Sequence, residues 1–583
     1  MRAMTRDTVA MIVPLVFLLA CSGSDDASTA RCGDGVARGT EQCDGQDLSG
    51  QTCFLAGYLD GTLSCNGDCT FDFGACRDPS THLSTWNAAC GNLVCEVGEA
   101  SSNCPSDCGE RTVTETPFAI HASSPSQADA IAADWRAFVR LEALNDPSHA
   151  FQVGDWYARQ TSTRVIVTTV SGAEVADNGF RYCLPTGSTL ASWLQFLGRA
   201  VERYDGDADV GCTLPGPDCY ASGDGLFPDD ATIASFQANP VKYWQVENEW
   251  FWQVDDCSGP EPTVPSPFTM AAHLQAVATT IKSADGEARV IAGALGSVGL
   301  LAAMDWPSCH QFIEIGGPDD CAYREILMDD VTPEQSSQVS EKRARVVETL
   351  RLSDPHFDIV DVHFYESRPH AMMYQAATVR RLLKDAGIDR PIPLWSLENA
   401  GPYAFFPLME LAQPTTCPPA PQTPAEMANG EYGGPYSDAL LADFVAKHYA
   451  IATFAGFQKI AWSSSMPTLG WGEPFLRTAL HDYDLNEKPA YHTYLMLSRE
   501  LGDMRTIDKP LPEVYRFVMA DGGVKLLVWS DMHVSQVDVS DMVGTDTVSV
   551  RRLVREADVE PPPATHDSHA VPVGPSPVLI ERP

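Results

Sequence analysis

The sequence predicts an α/β protein: a (β/α)8 TIM barrel with disulfide-rich modules before it and a small β-sandwich after it. Three observations predict this order. Short β-prone runs alternate with amphipathic helical segments from about Thr112 to Leu501, the pattern of βα units around a parallel sheet. Ten cysteines crowd into residues 32–108, where apolar residues are few. Beyond residue 505 the β-prone runs continue without helical segments between them. At 583 residues the chain is too long for one ordinary domain.

The N-terminus reads as a targeting segment. Arg2 and Arg6 precede an apolar run, Val9 to Ala20, that closes on Leu18-Leu-Ala-Cys21. The run is too short to cross a bilayer and has the form of a secretory h-region, so residues 1–20 are expected to be a signal peptide. Its end resembles a bacterial lipobox, which implies lipidation of Cys21, and the absence of Asp directly after it implies outer-membrane delivery. A plain signal peptide with an incidental cysteine is the alternative. Residues 21–31 form a small polar tether. Seventeen further cysteines agree with an oxidising compartment.

Residues 32–78 hold six cysteines (32, 43, 53, 65, 69 and 76) in a Gly- and Asp-rich stretch. Such a module cannot bury a core and must be stapled by disulfides. Its pattern, Cys-Gly-Asp-Gly, Glu-Gln-Cys-Asp-Gly and Asp-Cys-Thr-Phe-Asp, resembles the cysteine-rich repeats of myxobacterial surface proteins. Residues 88–110 add Cys90, Cys95, Cys104 and Cys108. Their acidic residues lack EF-hand spacing, so a rigid spacer is the reading, with Ca²⁺ binding as its rival. The net charge of −39 argues against nucleic acid and anionic membrane surfaces as electrostatic partners and serves solubility.

Eight strands are expected within residues 115–501: Phe118–His121, Phe138–Glu142, Arg164–Val170, Lys242–Glu249, Arg289–Ala294, Ile359–Tyr365, Ile392–Glu398 and Lys459–Ser463. Helical periodicity is clearest at Leu190–Tyr204, Thr269–Ala284, Glu334–Leu352, Ala376–Ala386, Asp438–Ala455 and Pro489–Leu501. A doubly wound sheet would carry a Gly-rich turn after its first strand, and none is visible.

In a barrel, residues at the C-terminal ends of strands face the active site. Glu249 and Glu398 end the fourth and seventh expected strands, Asp361-Val-His363-Phe-Tyr365 ends the sixth, Trp462 lies at the end of the eighth, and Arg140 closes or nearly closes the second. A lone carboxylic acid at the exit of a buried strand is costly to a core but suits cleavage of a sugar, where one carboxyl must keep its proton. Asn248-Glu249 closing strand four, Glu398 closing strand seven and His363-x-Tyr365 closing strand six resemble clan A, the 4/7 superfamily of retaining glycoside hydrolases. Trp193 to Asp207 and Lys488 to Tyr494 echo helices of that clan, so the likeness spans about 115–500.

That resemblance implies Glu249 as general acid/base and Glu398 as nucleophile. It implies that Asn248 binds the sugar 2-OH and that Tyr365 and Arg140 hold Glu398 ionised. Trp462, Trp250 and Trp252 offer flat faces to a sugar ring, or serve as packing. His363 reads equally as a site residue and as a satisfied core histidine, and Arg140 as a structural ion-pair residue. By pleat parity Glu247 shares a face with Glu249, and only the Asn-Glu match selects Glu249 as the acid.

No His-Glu-x-x-His spacing is present, and neither a catalytic metal nor a cofactor is expected. Seven cysteines fall in the barrel segment. Cys212–Cys219 and Cys309–Cys321 could close small loops, Cys183 and Cys257 follow adjacent strands, and Cys417 is left over. Residues 505–583 offer short strands at Glu513–Met519, Val524–Trp529, Ser535–Ser540, Thr547–Leu553 and Ala570–Glu581, the expected β-sandwich. The implied activity is hydrolysis of an extracellular oligo- or polysaccharide. A non-catalytic carbohydrate-binding or adhesion lipoprotein is the alternative, and a structural surface protein the third.

Overall fold

The computed structural model describes residues 32–35, 43–48, 60–77, 95, 100–121, 134–140, 164–174, 182–207, 230–257, 263–295, 311–315, 322–326, 333–365, 369–401, 438–463, 478–530, 535–554 and 560–583, less a few positions within these ranges. The signal segment, Cys21 and the tether therefore lie outside the described residues. The chain divides into two compact units, Met1–Arg77 and Asp78–Pro583. No described helix is long and apolar enough to cross a membrane.

Among the described residues, the first unit is held by disulfides and by hydrogen bonds to its backbone. Disulfides join Cys32 to Cys69 and Cys43 to Cys65. Two two-residue antiparallel pairs, Asp60–Gly61 with Cys76–Arg77 and Ser64–Cys65 with Phe71–Asp72, stand between them. Buried Asp44 accepts the backbone N–H groups of Gly33 and Asp34, each at 2.8 Å.

In the second unit the barrel strands are β1 Phe118–His121, β2 Asp134–Arg140, β3 Val165–Val170, β4 Tyr243–Val246, β5 Arg289–Ala292, β6 Ile359–Asp361, β7 Leu394–Ala400 and β8 Phe457–Ser463. Each pairs in parallel with the next, and β8 pairs with β1, so the sheet closes on itself. Such strands are covered on both faces and read as continuous apolar runs; β3, Val-Ile-Val-Thr-Thr-Val, is buried throughout. Inside the ring, Ala119, Ile166, Ile291, Ile359, Trp395, Leu397 and Ala461 form one cluster. The floor of the barrel is polar: Glu115 accepts from Tyr243 and Arg164, both at 3.1 Å, and Lys459 donates to the Thr116 carbonyl at 2.6 Å.

The helices described between the barrel strands and after the last of them are α1 Gly187–Tyr204, α2 Asp230–Ala238, α3 Pro267–Ala284, α4 Pro333–Ser353, α5 Ala371–Asp385, α6 Asp438–Phe454 and α7 Pro489–Leu501. Helix α3 starts where Ser266 caps the Thr269 N–H at 3.1 Å and Pro267 occupies the first turn. Helix α6 is buried from Leu441 to Phe454 except at Lys447, so it must be covered on more than one side. One side meets β8. The other meets the tail, with Phe454 at 5.7 Å from Tyr515 and Lys447 over the Trp529 ring.

The tail strands are β9 Met504–Leu511, β10 Val514–Met519, β11 Val524–Val528, β12 Ser535–Val537, β13 Thr547–Arg552, β14 Ala564–Asp567, β15 Val571–Val573 and β16 Val578–Glu581. Six of them join Arg111–Thr112 in one antiparallel sheet ordered β14-β13-β16-β11-β10-β9-(111–112), while β12 and β15 pair apart from it. Strand β9, broken by charge and Pro510, carries no strand pattern in sequence, yet it is the edge on which residues 100–112 dock. Ser101 donates to the Lys509 carbonyl at 2.8 Å, Thr112 pairs with Thr506, and the Cys95–Cys108 disulfide lies in the main hydrophobic core. The expected spacer therefore has a fixed place on the tail sheet.

Candidate active site

Strand β4 ends at Val246, three residues before the expected end, and Glu247, Asn248 and Glu249 follow in a turn. Glu247 has φ +60° and Glu249 φ +39°. Left-handed backbone costs an L residue roughly 1–2 kcal/mol and persists only when its surroundings over-determine it. Here the Glu247 N–H donates to the Thr169 carbonyl at 2.8 Å. Trp250 donates from Nε1 to the Val246 carbonyl at 2.7 Å and from its backbone to Ala294 at 3.3 Å. The two left-handed residues break the pleat, so Glu247 and Glu249 do not share a face. Glu247 is buried against Ser171 and His273, and Glu249 turns to His363.

Glu398 is placed by an irregularity in β7. Between Ser396 and Asn399 this strand holds one more residue than the matching step from Ile460 to Trp462 in β8, a bulge that re-aims a side chain. The Asn399 side chain fills the gap in the ladder, donating to the Ser396 and Ala461 carbonyls, both at 2.8 Å. Asp361 at the end of β6 accepts the Leu397 N–H at 2.8 Å, which pins the residue before Glu398.

His363 stands between the two acids. Its Nδ1 is 3.0 Å from Glu249 Oε1 and 3.5 Å from Glu398 Oε2, and its Nε2 is 3.2 Å from Asp361 Oδ2. The Nε2 contact is out of line for a hydrogen bond, so Asp361 acts on the ring mainly by charge. Burial alone would depress the imidazole pKa. The charges of Glu398 and Asp361, with the hydrogen bond to Glu249, outweigh it and push the pKa up to about 10. One oxygen of Glu249, one of Glu398 and a ring nitrogen of His363 lie within 4.8 Å of one another. Such a set could hold a cation; as arranged, the imidazolium supplies the positive charge. The Glu249 and Glu398 side chains keep 13% and 11% of their exposure while that of His363 keeps 1%, so the acids face the opening and the histidine lies behind them.

Of the other expected residues, Asn248 is buried within the turn. Tyr365 pairs through its backbone with Ala400, and Arg140 ends β2 opposite Val170; their side chains, and all of Trp252, lie outside what is described. The two remaining tryptophans are corrections. Trp462 is 0% exposed, donates to the Thr478 carbonyl at 3.0 Å and packs among Phe444, His448 and Tyr449. Trp250 is 1% exposed and packed over Gly293. Neither has an open face for a sugar; both are core. The Cys183–Cys257 disulfide joins the segments after β3 and β4, as their adjacency in sequence order suggested. Cys212, Cys219, Cys309, Cys321 and Cys417 fall outside the described residues.

Sequence reasoning missed the polar line beneath the site. Thr168 donates to Gln245 Oε1 at 2.5 Å and Gln245 donates to Asp361 Oδ2 at 2.7 Å, so β3, β4 and β6 are tied inside the ring. The available signal was a polar residue near the end of each otherwise apolar strand.

No known family profile matches the chain, and no curated protein matches it. Solved structures with a similar course include a family 39 glycoside hydrolase from Bacteroides cellulosilyticus WH2, at 10% identity over 81% of each chain with a TM-score of 0.44. CelM2, a bifunctional glucanase-xylanase from a metagenome library, matches at 12% identity over 81% of this chain and 97% of its own, TM-score 0.46. An alpha-L-arabinofuranosidase from Thermotoga maritima matches at 10% over 81% and 97%, TM-score 0.44. Likeness at this level supports nothing by itself; the barrel rests on its strand pairings and the site on its distances.

Proposed function

We propose that the chain is a retaining glycoside hydrolase acting on extracellular carbohydrate. The observation that carries this reading is the approach of one Glu249 oxygen to one Glu398 oxygen within 4.8 Å at the open end of the ring. Retention by double displacement needs carboxyl groups about 5–5.5 Å apart, whereas inversion needs about 6.5–9.5 Å to admit a water. Glu249 protonates the leaving oxygen while Glu398 attacks the anomeric carbon. Glu249 then takes a proton from the water that releases the sugar. Asn248 is assigned to the 2-OH, and Tyr365 and Arg140 to holding the nucleophile ionised. His363 balances the negative charge that passes between the acids.

The test is a panel of aryl glycosides with the product anomer followed by NMR. Retained configuration, together with loss of about 10²–10⁴-fold in Glu249→Gln and a larger loss in Glu398→Gln, supports the reading. Inverted product, or variants as active as the parent, would sink it. Export and anchoring through a lipid on Cys21 belong to the same proposal, since disulfides form in oxidising compartments. Cys21→Ser should move the protein from the membrane to the soluble fraction.

A further inference from the structure

We infer that Glu247 is a positioning residue: with Ser171 and His273 it forms a buried clamp that fixes the turn carrying Glu249. The inference rests on the glycosidase reading and extends it to groups that take no part in the proposed chemistry. Glu247 is 1% exposed. Its carboxylate accepts the Ser171 backbone N–H at 3.1 and 3.2 Å, the Ser171 hydroxyl, and lies 2.8 Å from His273 Nε2, which is also 3.1 Å from Ser171 Oγ. Ser171 is the first residue after β3 and His273 sits on α3, so the carboxylate ties the β4 exit to a neighbouring strand and to the supporting helix.

A buried carboxylate with these partners is an expensive feature to keep, and its contacts run to Ser171 and His273. What the clamp holds is local. Glu247 and Glu249 are the only non-glycine residues of the barrel with left-handed φ among the described residues. The turn places Glu249 Oε1 at 3.0 Å from His363. Glycine would adopt the Glu247 backbone freely, so a side chain that costs conformational strain is present for its contacts.

The test compares Glu247→Gln, Glu247→Gly and Ser171→Ala by two independent readouts. The first is kcat/KM on paired aryl glycosides, one with a poor leaving group and one with a dinitrophenolate. A dinitrophenolate departs without a proton, so misplacement of the acid is felt only with the poor one. Glu247→Gly should lose about 10²-fold on the poor leaving group, the scale of an ångström-sized misplacement, and less than about 3-fold on the good one. Ser171→Ala should lose less in the same sense, and Glu247→Gln between the two. Equal losses on both substrates would make Glu247 merely structural and overturn the inference. The second readout is the His363 imidazole titration by NMR. It should fall in Glu247→Gly by about as much as in Glu249→Gln. An unchanged His363 titration in folded Glu247→Gly overturns the clamp. If the parent cleaves no glycoside, the glycosidase reading fails and the His363 titration alone decides the clamp.

Discussion

His363 Nδ1 lies 3.0 Å from Glu249 Oε1, with the nearest oxygen of Glu398 only 0.5 Å further away (3.5 Å less 3.0 Å). The ring thus faces both acids, and Asp361 beneath it adds a further carboxyl group. The imidazolium balances Glu398 and Asp361, which favours the ionised nucleophile that the proposed reaction needs while Glu249 holds the proton it transfers.

That arrangement gives stability a particular pH dependence. Burial works against the charged ring, yet Glu398 and Asp361 raise its pKa to about 10 in the folded protein, against about 6.5 when unfolded. The contribution is therefore complete below about pH 6.5 and is lost as pH rises through about 10. Tm measured from pH 6.5 to 10 should fall more steeply for the parent than for His363→Gln. His363→Gln should also be the less stable at pH 6.5, where it leaves the acids without a cation. Parallel curves would refute the role of His363 as a charged bridge.

A second prediction concerns the leaving group. If Glu249 is the acid, kcat/KM for Glu249→Ala on dinitrophenyl glycosides should stay within about 10-fold of the parent while poor leaving groups lose about 10²–10⁴-fold. Added azide should restore turnover and yield a glycosyl azide, because a small anion fits the space the carboxyl vacates and needs no base. Absence of rescue, with both substrates equally slowed, would assign the acid elsewhere.

Gly293 supports the same turn from the β5 side. A Cβ there would lie 2.0 Å from Trp250 Nε1 and 2.3 Å from the Val246 carbonyl oxygen. The second contact is backbone and cannot swing aside. Gly293→Ala should cost about 3 kcal/mol, the upper end for overpacking, and should slow catalysis by displacing Glu249. Gly286→Ala, where a Cβ meets nothing within 4 Å, is the control and should leave Tm and activity unchanged. Urea unfolding of both variants checks the pair.

The barrel was legible because its signal is periodic: apolar runs with helices between them fix a parallel sheet, and strand ends mark the mouth. Glu249, Glu398 and His363 converge because all three follow from that single rule. The fates of Glu247, Trp250 and Trp462 did not follow from it. Strand parity assumes an unbroken pleat, and two left-handed residues at 247 and 249 interrupt it. Tryptophan at a strand end looks the same in sequence whether it faces solvent or, as Trp462 does, a helix. The Gln245–Asp361 line was hidden for another reason: a buried polar group is explained only by its partner, which here lies 116 residues away.

The packing around Trp462 carries the last prediction. His448 on α6 is fully buried, stacked on Phe444 and edge-on to Trp462, and neither ring nitrogen has a partner among the described residues. Burial depresses its pKa to about 3, so the folded protein holds it neutral while the unfolded chain takes up a proton near pH 6.5. Stability is unaffected by this group above about 6.5 and is lost as pH falls from there toward 3. A ring with no nitrogen to protonate removes that penalty, and its similar volume preserves the packing. His448→Phe should therefore match or exceed the parent in urea unfolding at pH 7 and outlast it increasingly as pH falls to 4. A variant that loses stability by the same amount at both pH values would show that the histidine is hydrogen-bonded or charged in place.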